Sequence, residues 1–189
     1  MEYHKKDIHK RIIRNIALNI ELLINDKDVD ISEYDAQAFM TLFLRRNLKN
    51  TEYKIKRESF GKYDCVIANK ENGKPIILYE LKTFVKPKEK LQIKSSYKKI
   101  IPDFKKLNDG ILKYELSRGY FILVCKSKDL KDIIDEFKFL SEHLNNNRTW
   151  QTIEECKDYK LRPSSKENIG NTHIFTWEVK PNKALERNI

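Results

Sequence analysis

Residues Gly119 to Cys125 (Gly-Tyr-Phe-Ile-Leu-Val-Cys) run without a single charge in a chain where 35% of residues are charged. A run this short, continuous and rich in aromatic and branched side chains reads as a strand buried on both faces. Such a strand obliges the chain to lay helices against a sheet. Ile8, Ile12, Ile16, Ile20, Leu23 and Ile24 form one apolar helical face, followed by an acidic stretch over 25–30. Ser32 with Asp35 three residues later reads as a capping pair. It opens a second helix through Ala36, Phe39, Met40, Phe43 and Leu44, with Arg45 and Arg46 suited to its negative C-terminal end. Strands are expected over Tyr53–Phe60 and Tyr63–Ala68, and again over Pro75–Phe84, the last two joined as a hairpin by the polar turn Asn69–Gly73. Apolar residues at Ile93, Tyr97, Ile100, Phe104, Leu107 and Ile111 predict a helix that Pro102 splits or kinks. Leu130, Ile133, Ile134, Phe137, Leu140 and Leu144 predict another, Asn145–Asn171 a polar loop, and His173–Lys180 a last strand. The fold class expected is α/β, a mixed α+β sheet carrying helices.

At 189 residues and 22.6 kDa the chain has the length of one domain, 1–189. No stretch nears the ~18 apolar residues of a membrane span, and Met1–Asp7 lacks the apolar run of a secretory signal. Cys65, Cys125 and Cys156 are scattered, which argues against a disulfide framework or a zinc site. An intracellular, cytoplasmic protein is expected. The net charge of +10 favours a polyanionic partner. However, 29 of the 38 cations are Lys and there are 15 Asn, a bias that an A+T-rich genome also produces.

Chemistry concentrates at Glu80-Leu81-Lys82. With 16 Glu and 29 Lys, Glu-x-Lys is common by chance and begins at Glu52, Glu80, Glu136, Glu155 and Glu178. Only Glu80 ends an apolar run and has an Asp on the strand before it. A three-residue loop, Glu71-Asn72-Gly73, with Gly73 left-handed pairs Lys70 with Lys74 and sets Asp64 directly opposite Glu80. Opposed residues on one face have Cβ atoms about 4.5–5.5 Å apart, and Lys82, two along, projects on that face. Two opposed carboxylates repel unless a cation lies between them, and Mg²⁺ suits such oxygen ligands. Lys82 is placed to orient or deprotonate a water. A two-residue Asn72-Gly73 loop would move Asp64 to the other face, so loop length decides. The plain alternative is a cross-strand ion pair of Asp64 with Lys82.

Asp64, fifteen intervening residues and Glu80-Leu81-Lys82 resemble the core of the PD-(D/E)XK nuclease superfamily, the restriction-endonuclease-like fold. The resemblance covers about 32–125, an αβββαβ core, and leaves 1–31 as an N-terminal helical extension and 126–189 as a C-terminal helix and strand elaboration. It implies that Asp64, Glu80 and the Leu81 carbonyl bind Mg²⁺, with Mn²⁺ as a substitute, and that Lys82 positions the attacking water. It further implies a Glu from the first core helix, for which Glu33 is the candidate; a first-turn helix charge is its plain alternative. Tyr63 stands where the family's Pro would be, a position it varies freely.

Lys86, Lys90, Lys94 and Lys98 recur every four residues beyond this motif. They read as a phosphate-contacting ridge or as a solvated helix face. Tyr97, Lys98 or Lys99 is a candidate for an extra polar group. Arg148, Trp150 and Arg162 are a candidate nucleic-acid loop. His4, His9, His143 and His173 share no metal-ligand spacing and read as surface or structural, and Cys65 and Cys125 as core thiols. No glycine-rich phosphate loop occurs, so no nucleotide cofactor is expected. The activity expected is Mg²⁺-dependent DNA hydrolysis of a restriction or defence type, by a homodimer where both strands are cut. The alternatives are a branched-DNA or RNA nuclease, and a non-catalytic basic domain that binds nucleic acid or protein.

Overall fold

A computed structural model describes residues 2–24, 32–59, 63–84, 90–126, 149–153 and 156–182. Helix α1 spans Glu2–Ile24 and α2 Glu33–Asn47. Strands β1 (Tyr53–Ser59), β2 (Tyr63–Asn69) and β3 (Pro75–Phe84) follow. Then come α3 (Lys90–Lys113), β4 (Gly119–Lys126), β5 (Gln151–Ile153), β6 (Cys156–Ile169) and β7 (Thr172–Pro181). The capping pair forms as expected: Ser32 accepts from the Asp35 N–H, and the Asp35 carboxylate accepts from the Ser32 N–H at 2.7 Å. No described helix is long and apolar enough to cross a membrane.

The strands form one mixed sheet in the order β1-β2-β3-β4-β7-β6-β5. Only β3 and β4 pair in parallel, and α3 makes the crossover between them. The apolar run of β4 is central and carries a core on each face, as its continuous apolarity requires. On one side, Phe121, Leu123 and Cys125 meet Ile100, Phe104, Leu107 and Ile111 of α3, with Leu78, Tyr159, Leu161, Trp177 and Val179. On the other, Tyr120, Ile122 and Val124 meet Ile12, Ile13 and Ile16 of α1 and Ala36, Met40 and Leu44 of α2. The molecule is thus three layers, α1 and α2, then the sheet, then α3.

Two expectations need correction. Helix α3 runs through Pro102 instead of splitting there, at the cost of the one intrahelical bond that proline cannot donate. The described residues of the polar segment 145–171 are largely strand. In β6 the polar positions hide a period of two, because Tyr159 and Leu161 are buried while Lys160 and Arg162 alternate with them on the wetter face. Pro163 is tolerated because it lies beyond the reach of β5, where β6 is the sheet edge, and a bulge follows it. The last strand forms as expected, and β7 pairs with β4 along all eight residues of that central strand. The helix expected over 130–144 lies outside the described residues.

Candidate functional site

The hairpin register at the motif is the one expected, for a different local reason. Cys65 faces Tyr79 and Val66 faces Leu78, which sets Asp64 across from Glu80. The loop, however, is four residues, 70–73: Asn69 donates to the Lys74 carbonyl at 2.9 Å and Gly73 to the Asn69 carbonyl at 3.1 Å. Gly73 adopts φ 71°, a left-handed conformation that glycine takes without strain. A bulge between Ile67 and Ala68 then absorbs the extra residue, so Lys70 and Lys74 are not partners.

Asp64 and Glu80 are 9% and 2% exposed. One Asp64 oxygen accepts the Leu81 N–H at 2.7 Å, which fixes the carboxylate against the start of the Leu81-Lys82 segment. Burial pushes the Asp64 carboxyl up to about 6; the Leu81 bond opposes this, while the charge of Glu33 adds to it. Burial and then the Asp64 charge push Glu80 up to about 9, against the pull of Lys106. Burial, which disfavours the charged form, is thus the main cause at both carboxyl groups.

Lys82 lies on the same face as Glu80, two residues on. Its Nζ is 3.3 Å from Glu33 Oε2 and 3.8 Å from Asp103 Oδ2. Burial works against its charge, but Glu33 and Asp103 outweigh it and hold the ammonium above its ordinary value. Glu33, the first residue of α2, thus joins the site through Lys82.

Two site residues escaped sequence reading, Asp103 and Lys106. Lys106 Nζ lies 2.6 Å from Glu80 Oε1 and 5.4 Å from the centre of the Tyr63 ring, whose hydroxyl donates to the Lys106 carbonyl at 3.0 Å. Gly110 makes room for this approach, since a Cβ there would overlap the Tyr63 hydroxyl. The signal was present: Asp103 and Lys106 are three apart, one helical flank, directly before the buried Phe104 and Leu107 of the sheet-facing stripe. In total, four carboxylates (Glu33, Asp64, Glu80, Asp103) meet two ammonium groups (Lys82, Lys106).

Lys86 lies outside the described residues, and Lys90, Lys94 and Lys98 fall on α3 where side chains lie outside them, as do those of Tyr97 and Lys99. Arg148 and His143 lie outside as well, while Trp150 and Arg162 are addressed below. His9 is buried against the Tyr120 ring, 4.2 Å between centroids, so it is structural. Cys65 and Cys125 are buried thiols. Among the described residues, no three His, Cys, Asp or Glu side chains are gathered as a metal cage. Comparison with protein-family models, with curated proteins and with solved structures finds no match to this chain.

Proposed function

We propose that this chain is a Mg²⁺-dependent endonuclease that hydrolyses DNA phosphodiester bonds, of the restriction or defence type. The observation that carries the reading is the pair of buried carboxyl groups, Asp64 and Glu80, opposed across the hairpin beside the Lys82 ammonium. The order α2-β1-β2-β3-α3-β4 supports the resemblance to the restriction-endonuclease-like core. The donor set fits a divalent cation: two buried, opposed carboxyl groups supply hard oxygen ligands, with Lys106 Nζ 2.6 Å from Glu80. Asp64, Glu80 and the Leu81 carbonyl are the groups that would hold it. Bound there, Mg²⁺ supplies Lewis-acid stabilisation of charge developing on a phosphate.

The chain's own residues do the rest. The Leu81 N–H holds Asp64 in one orientation, and Glu33 and Asp103 hold the Lys82 ammonium. That ammonium orients a water and stabilises anionic oxygen. Two such sites, and hence a homodimer, are needed for a double-strand cut.

The test is cleavage of plasmid and linear DNA with Mg²⁺, with EDTA, and with Asp64→Ala. Cleavage that depends on Mg²⁺ and disappears in the variant is expected; full activity of Asp64→Ala defeats the reading. Four-way junction and RNA substrates run beside duplex separate a branched-DNA or RNA nuclease. A second reading rests on the ammonium groups already paired with Glu80 and Glu33. They suit a non-catalytic basic domain in which this cluster only ties α2 and α3 to the sheet. It predicts nucleic-acid binding that survives EDTA, with no cleavage and no Mg²⁺-dependent thermal shift.

A further inference from the structure

A second charge cluster lies on the opposite face of the sheet. Trp177 and Val179 of β7, and Tyr159 and Leu161 of β6, point into the core under α3. Their neighbours Glu178, Lys180, Lys160 and Arg162 therefore point the other way, toward the side of α1 and α2. Glu178 is buried, and its single oxygen Oε2 takes both Arg118 at 2.8 Å and Arg162 at 2.6 Å. The Arg162 guanidinium lies 4.7 Å from the centre of the Trp150 ring and the Lys180 ammonium 4.0 Å from it. Lys160 and Lys180 are direct cross-strand partners.

That last pairing is unfavourable as it stands, because like charges directly opposite one another repel. Desolvation and the charges of Lys160, Arg162 and Arg118 all depress the Lys180 ammonium. Among the described residues, the two arginines share one carboxylate, Glu178, and a phosphate would suit the two opposed lysines.

We propose that Arg118, Lys160, Arg162 and Lys180, grouped around Trp150, bind the phosphates of a nucleic-acid strand at a site separate from the carboxylate pair. Guanidinium groups match phosphate oxygens in a planar fork, and an indole ring gives a base or a sugar a flat surface once Lys180 turns to a phosphate. An acidic peptide would use the cations but not the ring. The proposal deepens the nucleic-acid reading above without depending on hydrolysis.

The experiment is fluorescence anisotropy of a short fluorescein-labelled oligothymidine in EDTA, titrated with wild type, Lys160→Gln/Lys180→Gln and Asp64→Asn, with Trp150 emission followed in parallel. The double variant spares both arginines on Glu178, and its melting curve shows that it folds. It is expected to bind at least tenfold more weakly, with a salt slope lower by about 1.4 for two lost single-strand phosphate contacts. Asp64→Asn is expected to bind as wild type does. Unchanged affinity in the folded double variant overturns the proposal, and so does equal competition by polyglutamate. A chain that binds in this way but never cleaves DNA defeats only the nuclease reading; one that cleaves while the double variant binds normally defeats only this one.

Discussion

The two charge clusters are mirror images across one sheet. Under α3, Asp64 faces Glu80 across a hairpin, two buried carboxyl groups in direct opposition beside the ammonium groups of Lys82 and Lys106. On the other face, Lys160 faces Lys180 across β6 and β7, two cations in direct opposition beside the arginines that share Glu178. Each cluster places like charges where sheet geometry penalises them. The opposed carboxyl groups suit a cation, and the opposed ammonium groups suit an anion. The clusters differ in how their carboxylates are satisfied. Glu178 is matched by two guanidinium groups, whereas Glu80 has one ammonium and a neighbouring anion.

The largest effect expected is catalytic. Replacing Lys82 by Ala removes the cation that Glu33 and Asp103 hold in place, and should lower the cleavage rate by about 10²–10⁴-fold. Single-turnover kinetics at saturating Mg²⁺ check this. A loss below tenfold would reduce the cluster under α3 to an ion-pair network that braces the fold.

Next in size is a contrast in stability between one substitution made in both clusters. Glu178→Gln leaves two guanidinium groups facing each other without a counter-charge. It should cost about 2–3 kcal/mol, below the range for fully buried pairs because both arginines remain partly solvated. Glu80→Gln removes a buried carboxyl that must take up a proton on folding at this pH, and should be neutral or stabilising by about 1 kcal/mol at pH 8 in EDTA. Urea denaturation of the two variants gives the comparison directly. Costs of the same sign and size would remove the distinction between a carboxylate matched by guanidinium groups and a buried carboxyl that folds protonated.

The pH dependence follows from the same difference. Glu80 and Asp64 carry folded pKa values raised to about 9 and about 6. A carboxyl with a raised folded pKa keeps a proton that the unfolded chain has released. Its contribution is complete below the unfolded pKa, near 4, and is lost as pH rises through the folded value. In EDTA, Tm should therefore fall from pH 5 toward pH 9, and Mg²⁺ should restore it most at the alkaline end. A thermal-shift series across that window, repeated on Glu80→Gln, checks both points; the variant should show a flatter profile and a smaller response to Mg²⁺.

How much of this was legible in the sequence differs between the faces. The site under α3 could be read because its strands are apolar and its turn is short, so Gly73 and the period of two bring Asp64 and Glu80 together. Even there, the four-residue loop and the bulge at Ile67 replaced the expected three-residue loop and led to the same register. Asp103 and Lys106 were missed because a helical stripe announces its buried residues and says little about which flanking polar group reaches a strand end. On the basic face β7 was legible as a strand, whereas β6 lies in a stretch that reads as a loop. Strand β6 has one solvated face and a proline, and its partner, β7, comes after it in the chain. The pairing that sets Lys160 opposite Lys180 was therefore hidden in the polar stretch.

The smallest effect expected sharpens the comparison most. Lys180→Gln removes one of two opposed ammonium groups and leaves Glu178 with both arginines. Relief of cross-strand repulsion is worth about 0.2–1 kcal/mol, so the variant should melt slightly above wild type in the absence of ligand. Part of that gain is offset by the lost contact of the Lys180 ammonium with the Trp150 ring, which keeps the net effect small. High salt screens the repulsion and should bring the two melting curves together. If Lys180→Gln instead destabilises the protein at low salt, the ring contact outweighs the repulsion. The basic face is then a self-satisfied structural cluster, and only the carboxylate pair across the sheet remains short of a partner.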